Sequence, residues 1–195
     1  IIFVSHNLAA IENLCERVLV LSEGRLDFDG KADKAIAHYA IQTAQNENPF
    51  ELQQLERQHN YRPVLQSLTL RNSEGDLSTS VNSLGEIQVG FTYDFGNPVA
   101  DPYIGFSLET PTGFELMTLS TQQNGCTGPL PQSGKLVCKI PSLPLAPGIY
   151  FISAGCGDRA LAIDGLERCA QLEVRAGDIF GTGFVYDRRH GHTVS

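Results

Sequence analysis

The stretch EIQVGFTYDF at residues 86–95 decides the expected fold, because its apolar and polar side chains alternate. In an extended chain, Ile87, Val89, Phe91 and Tyr93 would lie on one face, opposite Gln88, Thr92 and Asp94. Such alternation is typical of a β-strand with one buried face. The run ends just before the turn dipeptide Asn97-Pro98. The stretch therefore predicts one strand of a sheet that covers a core.

The same period of two recurs on both sides of this stretch. The runs are VLQSLTLR (64–71), YIGFSLET (103–110), FELMTLST (114–121), GKLVCKIPSL (134–143), GIYFISAGC (148–156), AQLEVR (170–175) and FGTGFVY (180–186). Residues that favour turns, mainly Gly, Pro and Asn, separate them. Short strands at this spacing predict a mainly β protein, with an antiparallel β-sandwich of immunoglobulin-like or jelly-roll type.

The amino-terminal part follows a different pattern. Residues 1–5 (IIFVS) indicate a buried strand, and apolar positions at helical spacing follow in residues 8–15. Residues 18–22 and 25–28 flank Glu23-Gly24 and predict a hairpin, after which residues 31–45 return to helical spacing. We therefore predict a small α/β segment ahead of the sandwich.

Composition changes between these two parts. Residues 42–63 (QTAQNENPFELQQLERQHNYRP) are rich in Gln and Asn, which indicates a linker with a short helix at 50–58. The predicted organisation is an α/β segment at 1–41, a linker at 42–63 and the sandwich at 64–195.

Charge and cysteine usage exclude several classes of function. The formal net charge is −8 and no run of Lys or Arg occurs, which argues against nucleic acid and anionic membranes as partners. The five cysteines have no C-x-x-C spacing, so we predict no metal site and interpret Cys138, Cys156 and Cys169 as small core residues. The paired imidazoles of His190-Gly191-His192 are interpreted as a tail. A bridge between Cys126 and Cys138 would need an oxidising compartment.

Two parts of the chain resemble one family. Residues 1–40, with VSHN followed by VLVLSEGRLDFDG, resemble the carboxyl end of an ABC ATPase domain. Residues 64–187 resemble the carbohydrate-binding domain of Wzt-type ATPases, which energise export of O-antigen and related polysaccharides. The motifs that carry this resemblance are SLTLRNSEG, GEIQVGFTYDF, LAPGIYFISAG and VRAGDIFGTGFVY, in this order.

The resemblance implies that the sandwich binds a lipid-linked polysaccharide on the cytoplasmic side of the bacterial inner membrane. It also implies a membrane permease as partner, a homodimer of a kind that can exchange terminal strands, and coupling of glycan binding to ATP-driven export. In the intact parent, which would use ATP and Mg²⁺, His6 would contact the γ-phosphate of ATP and help to order the attacking water. This sequence has no G-x-x-x-x-G-K-[ST] loop, signature motif or Walker B carboxylate. We therefore expect a fragment that needs no cofactor and is inactive alone.

Candidate sugar contacts follow from the alternation. Proteins usually bind sugars through an aromatic ring and planar polar side chains. The chain has no Trp, so Tyr or Phe would have to supply the ring. Outward-pointing residues that would line one exposed sheet face are Tyr103, Asp94, Thr92, Gln88, Phe151 and Ser153. A dimer interface or a plain solvated face would show the same pattern.

Other functions remain open from the sequence. The sandwich could serve only to dimerise the transporter or dock its permease, or the chain could be an ATPase subunit that works once joined to its missing part. Hydrolases are not indicated, because neither a spaced carboxylate pair nor a G-x-S-x-G motif occurs.

Overall fold

The computed structural model describes residues 2–4, 8–43, 49–57, 61–123, 130–159 and 161–177. Its elements are α1 (Leu8–Leu14), β1 (Arg17–Ser22), β2 (Arg25–Lys31), α2 (Ala32–Thr43), β3 (Phe50–Glu51), β4 (Leu65–Arg71), β5 (Ser80–Asn82), β6 (Ile87–Asp94), β7 (Pro102–Glu109), β8 (Glu115–Ser120), β9 (Ser133–Ile140), β10 (Gly148–Asp158) and β11 (Leu161–Arg175). No described helix is long and apolar enough to cross a membrane.

The amino-terminal segment is a hairpin flanked by two helices. Strands β1 and β2 pair antiparallel, and the turn places Glu23 and Gly24 at φ of 50° and 76°, as a tight hairpin turn requires. The predicted hairpin and both helices are confirmed. The predicted strand at 1–5 is wrong for residues 2–4, which lie in no regular element. A buried parallel strand needs neighbours to pair with, and the described chain offers it none.

The sandwich consists of two sheets. The first has the order β3-β4-β6-β9 and the second the order β5-β11-β10-β7-β8. All described pairings within them are antiparallel, except that the short β5 lies parallel to β11. The predicted mainly β, antiparallel sandwich is therefore confirmed.

The core lies between the inner faces of the two sheets. Alternation in β6 is confirmed, because Ile87, Val89, Phe91 and Tyr93 are all buried. The second sheet contributes buried residues from its central strands, namely Ile104, Phe106, Leu108, Tyr150, Ile152, Ala154 and Leu172. The rings of Phe91 and Phe106 meet across the core with centroids 5.9 Å apart. Burial of this apolar surface is the main force that holds the sheets together.

The sandwich core begins upstream of the predicted boundary. The predicted short helix at 50–58 is wrong over its described part, because Phe50–Glu51 forms a strand that pairs with Ser67 and Leu68. Phe50 and Leu52 are fully buried in the sandwich core. Their spacing of two residues suits an extended chain with one buried side rather than a helix.

The last strand of the second sheet is longer than predicted. The sequence pattern indicated residues 170–175, whereas β11 spans Leu161–Arg175. Its pairing with β10 is interrupted between Ile152 and Ala154, and this irregularity disturbs the alternation that a regular strand would show.

The cysteines of the described chain are free thiols. Cys156 and Cys169 are buried in the core as predicted, and Cys138 is half-buried against it. The predicted strand at 180–186, Cys126 and the pair His190 and His192 lie outside the described residues.

Candidate functional site

A groove of about 500 Å³ lies on the outer face of the five-stranded sheet. It is built by strands β7, β8, β10 and β11, with a wall added by the chain just upstream of β4. Its lining includes Glu56, Tyr61, Tyr103, Gly105, Ser107, Glu115, Thr118, Ser153, Gly155, Gly165 and Glu167. Because it lies on the side of the sheet that faces away from the core, a ligand can enter it without opening the sandwich.

The floor of the groove is formed by three glycines in a row. Gly105 of β7 pairs with Gly155 of β10, which in turn pairs with Gly165 of β11. Their neighbours in sequence point into the core, so these three positions face outward. A row without side chains leaves a trough with a backbone floor, which a flat ligand can approach closely.

Two tyrosines stand beside this floor. A Cβ atom on Gly165 would lie 3.1 Å from Cε2 of Tyr61, and one on Gly157 would lie 2.8 Å from Cε1 of Tyr103. Each ring therefore rests against a glycine that leaves room for it. Burial raises the pKa of Tyr103, and the nearby Cys156 and Tyr61 act in the same direction. Its hydroxyl thus stays protonated at neutral pH.

A hydrogen-bonded cluster fixes one end of the groove. Ser153 Oγ donates to Glu109 Oε1 at 2.7 Å and accepts the backbone N–H of Arg168 at 2.9 Å. Arg168 itself has φ of 48°, which is uncommon for a non-glycine residue. Its guanidinium donates to Pro111 O at 2.9 Å and lies 5.3 Å from the ring centroid of Phe151. The Arg168 guanidinium is therefore held by the Pro111 carbonyl and the Phe151 ring.

Carboxylates flank the floor on both sides. Glu115 belongs to β8 and Glu167 to β11, and Glu56 lies in the upstream wall. Thr118 Oγ1 donates to Glu115 Oε1 at 2.6 Å, which orients that carboxylate. Among the groove-lining residues in the described chain, none is Lys, Arg or His. The groove lining therefore presents carboxylate oxygens, which accept hydrogen bonds.

A buried ion pair anchors the wall that carries Glu56 and Tyr61. Arg57 Nε donates to Asp164 Oδ1 at 3.1 Å, and the two side chains are 7% and 0% exposed. Asp164 Oδ2 also accepts the backbone N–H groups of Val64 and Leu65, both at 2.8 Å. The strand that supplies the groove floor thus holds the segment that supplies its wall.

The six residues predicted to contact sugar do not lie together in the structure. Tyr103 and Ser153 line the groove. Gln88, Thr92 and Asp94 lie on β6 of the other sheet, so the prediction of one shared face is wrong. Outward faces of the two sheets of a sandwich point in opposite directions.

Phe151 also departs from the prediction. It was expected on the exposed face, but it is 1% exposed, with the guanidinium of Arg168 over its ring. His6 lies outside the described residues, so its expected role beside the γ-phosphate stays a prediction.

Sequence reasoning missed the glycine floor and the upstream wall. Glycines inside strand patterns signal close approach of another group, and Gly105, Gly155 and Gly165 carried that signal. Tyr61 and Glu56 carried none, because their Gln-rich surroundings indicated a linker.

A second groove, of about 470 Å³, opens between the two sheets beside β8 and β9. Its lining is mainly apolar and includes Phe106, Met117, Leu136 and Val137, and Val137 is 60% exposed. This surface suits a protein partner better than a sugar, because it offers few polar groups. Among the described residues, no cluster of His, Cys, Asp and Glu is arranged to bind a metal ion.

Comparisons with known proteins point to one family. The model of the Wzt C-terminal domain family matches residues 54–186, more than half of the chain. A solved structure entitled crystal structure of the C-terminal domain of Wzt shares 15% sequence identity, covering 67% of this chain and 83% of that chain with a TM-score of 0.49. No curated protein matched the chain.

Proposed function

This chain belongs to the Wzt C-terminal domain family, and from that premise we propose that its sandwich recognises a bacterial polysaccharide for export. In this proposal the sandwich is the C-terminal module of the ATP-binding subunit of an ABC transporter. It binds the lipid-linked glycan on the cytoplasmic side of the inner membrane, and binding is coupled to transport through a permease.

The groove on the five-stranded sheet is the observation that carries this proposal. It combines two tyrosine rings, Tyr61 and Tyr103, with a flat glycine floor and acceptor groups on both sides. A pyranose ring has apolar C–H faces that pack on aromatic rings and an equator of hydroxyls that donate hydrogen bonds. The groove supplies a partner for each of these two kinds of surface.

Nucleotide chemistry forms no part of the function proposed for this chain. The sequence has no phosphate-cradling loop, so its residues do not fit ATP and Mg²⁺. Those groups, and the role of His6, belong to the proposed intact parent.

Calorimetry on the 195-residue chain tests glycan recognition. The ligand is the cell-surface polysaccharide extracted from the organism that encodes the chain. We expect saturable binding that falls about tenfold in Tyr103→Ala, because loss of one aromatic contact costs about 1.4 kcal/mol. Tyr39→Ala, which changes an exposed tyrosine of α2, should leave binding unchanged.

Two further results separate site from fold. Tyr103→Phe keeps the ring and should retain most of the affinity, whereas Tyr103→Ala should lose it with an unchanged circular dichroism spectrum. Absence of saturable binding by the unaltered chain would contradict glycan recognition. It would favour the alternative, a dimerisation or permease-docking module, for which the apolar groove beside β8 and β9 is the available surface.

A further inference from the structure

The register of the strands shows how the floor of the groove is oriented. Gly105, Gly155 and Gly165 form a glycine row across the strands, and the register continues this row to Ser120 of β8. Ser120 also lines the groove and has a small side chain, and β8 is the last strand of its sheet. A trough therefore crosses the strands, from the Tyr61 ring that rests against Gly165 to the edge of the sheet.

Bulky groups limit this trough in the direction of the strands. On one side of Gly155, the next outward position of β10 is Gly157, where the ring of Tyr103 rests. On the other side, further along the same face of β10, the guanidinium of Arg168 covers the ring of Phe151. A polymer on the floor therefore has room to extend across the strands rather than along them.

A row of hydroxyl groups runs beside the glycine row. This hydroxyl row consists of Ser153, Ser107 and Thr118, which pair across β10, β7 and β8 and all line the groove. Ser153 Oγ donates to Glu109 Oε1 at 2.7 Å. Thr118 Oγ1 donates in the same way to Glu115 Oε1 at 2.6 Å. Because their hydrogens are engaged, both hydroxyls present lone pairs that accept hydrogen bonds from a sugar.

The spacing of the strands sets the length of the ligand. Strands β10, β7 and β8 are consecutive in the sheet. Neighbouring strands lie about 4.8 Å apart, so the trough measures about 10 Å from β10 to β8. A sugar unit in a polysaccharide lengthens the chain by about the spacing of one pair of strands. The trough therefore accommodates two consecutive sugar units between β10 and β8.

We infer that the glycan crosses the strands along the glycine row and that the groove binds two consecutive sugar units, a step that rests on the proposed function. The first unit lies over Gly155, between the ring of Tyr103 and the hydroxyl of Ser153. The second unit lies over Gly105 and donates a hydrogen bond to Thr118. The recognised ligand is thus a linked pair of sugars rather than a single ring.

Fragments of defined length test the number of units. The extracted polysaccharide is partly hydrolysed with acid and fractionated into single sugars, disaccharides and tetrasaccharides, and each is titrated into the 195-residue chain by calorimetry. We expect the tightest disaccharide to bind about tenfold more tightly than the tightest single sugar, because the second unit adds a hydrogen bond and contact with the floor. Tetrasaccharides should bind within about threefold of that disaccharide, because further units lie beyond the trough.

Two variants test where the second unit lies. Thr118→Val removes one hydroxyl and keeps the shape of the side chain, so the gain from one unit to two should fall to about threefold or less. Ser120→Gln fills the trough at its β8 end and should abolish the gain, whereas a glycan that lay along the strands would be unaffected. The matched controls Thr92→Val and Ser133→Gln lie in the other sheet and should keep the wild-type gain.

Each outcome bears on one of the two proposals. Single sugars that bind as tightly as disaccharides, or an affinity that rises as steeply from two units to four as from one to two, would overturn the inference while glycan recognition stands. A full gain in either groove variant, with an unchanged circular dichroism spectrum, would also overturn it. If the unfractionated polysaccharide does not bind, the proposed function fails first and this inference fails with it.

Discussion

Replacing Asp164 with asparagine tests whether the buried ion pair stabilises the sandwich. The carboxylate accepts five hydrogen bonds: from Val64 N and Leu65 N at 2.8 Å, Gly165 N at 2.9 Å, and Arg57 Nε and Nη2 at 3.1 and 3.3 Å. In Asp164→Asn only one oxygen remains as an acceptor, and the amide group turns a donor toward other donors. The Arg57 guanidinium then stays buried without a counter-charge.

The expected cost follows from the burial of both partners. Removing one partner of a buried pair costs about 3–5 kcal/mol, because the remaining charge cannot reach water. Domains of this size have a total free energy of unfolding of about 5–15 kcal/mol. At about 3 °C per kcal/mol, the midpoint of thermal unfolding should fall by about 10–15 °C.

Urea and thermal unfolding, followed by circular dichroism, measure this change. Asp101→Asn is the matched control, because Asp101 pairs with Arg159 at 3.5 Å where the two side chains are 53% and 81% exposed. Exposed pairs contribute about 0–1 kcal/mol, so this control should change little. Equal effects of the two asparagine substitutions would refute the reasoning. An unchanged stability of Arg57→Met would show that Asp164 acts through the backbone amides alone.

Three further predictions concern the groove, the opposite sheet and the thiols. Gly155→Ala adds a methyl group whose nearest neighbour is 3.4 Å away, so it should weaken glycan binding in calorimetry with little loss of stability. In Gly105→Ala the added methyl group would lie 2.9 Å from Leu119 O, so urea unfolding should show a free energy of unfolding lower by about 1–3 kcal/mol. Thr92→Ala changes the opposite sheet, and calorimetry should show unchanged glycan affinity. Burial raises the pKa of Cys156 and of Cys169 to about 12, so both thiols should resist iodoacetamide at pH 8 until urea unfolds the chain. Because the pKa of each thiol is raised in the folded state, their contribution to stability is present below about pH 9 and is lost as the pH rises toward 12. Urea unfolding at both ends of this window should show a lower free energy of unfolding at the higher pH. A free energy that does not change with pH would contradict this prediction.

Alternation along single strands was enough to predict the sandwich and two residues of the groove. Tyr103 and Ser153 were placed correctly on the outer face because residues of one strand alternate between faces regardless of its neighbours. Alternation does not show which strands lie next to each other in a sheet. Strands β6 and β7 follow one another in sequence but lie in different sheets, because β6 pairs with β4 and β9. Gln88, Thr92 and Asp94 therefore do not share a face with Tyr103, contrary to the prediction.

Long-range contacts explain the remaining departures. Phe151 points outward by alternation, yet Arg168 from the irregular part of β11 covers its ring. Tyr61 lies beside Gly165 in a segment that hydrogen bonds from Arg62 N to Ile163 O and from Val64 N to Asp164 tie to a distant strand. Neither contact has a local signature, since each depends on a partner chosen by the tertiary fold.

The pair formed by Arg57 and Asp164 has a consequence for biosynthesis. Its members are separated by 107 residues in sequence, so Arg57 is synthesised long before Asp164 is added to the chain. Until β11 is made, Arg57 lacks its carboxylate partner, and the groove lacks part of its floor. Contacts of such long sequence separation form late because the intervening chain must first be closed into a loop. A ligand-competent surface thus appears only once nearly the whole sandwich has been translated.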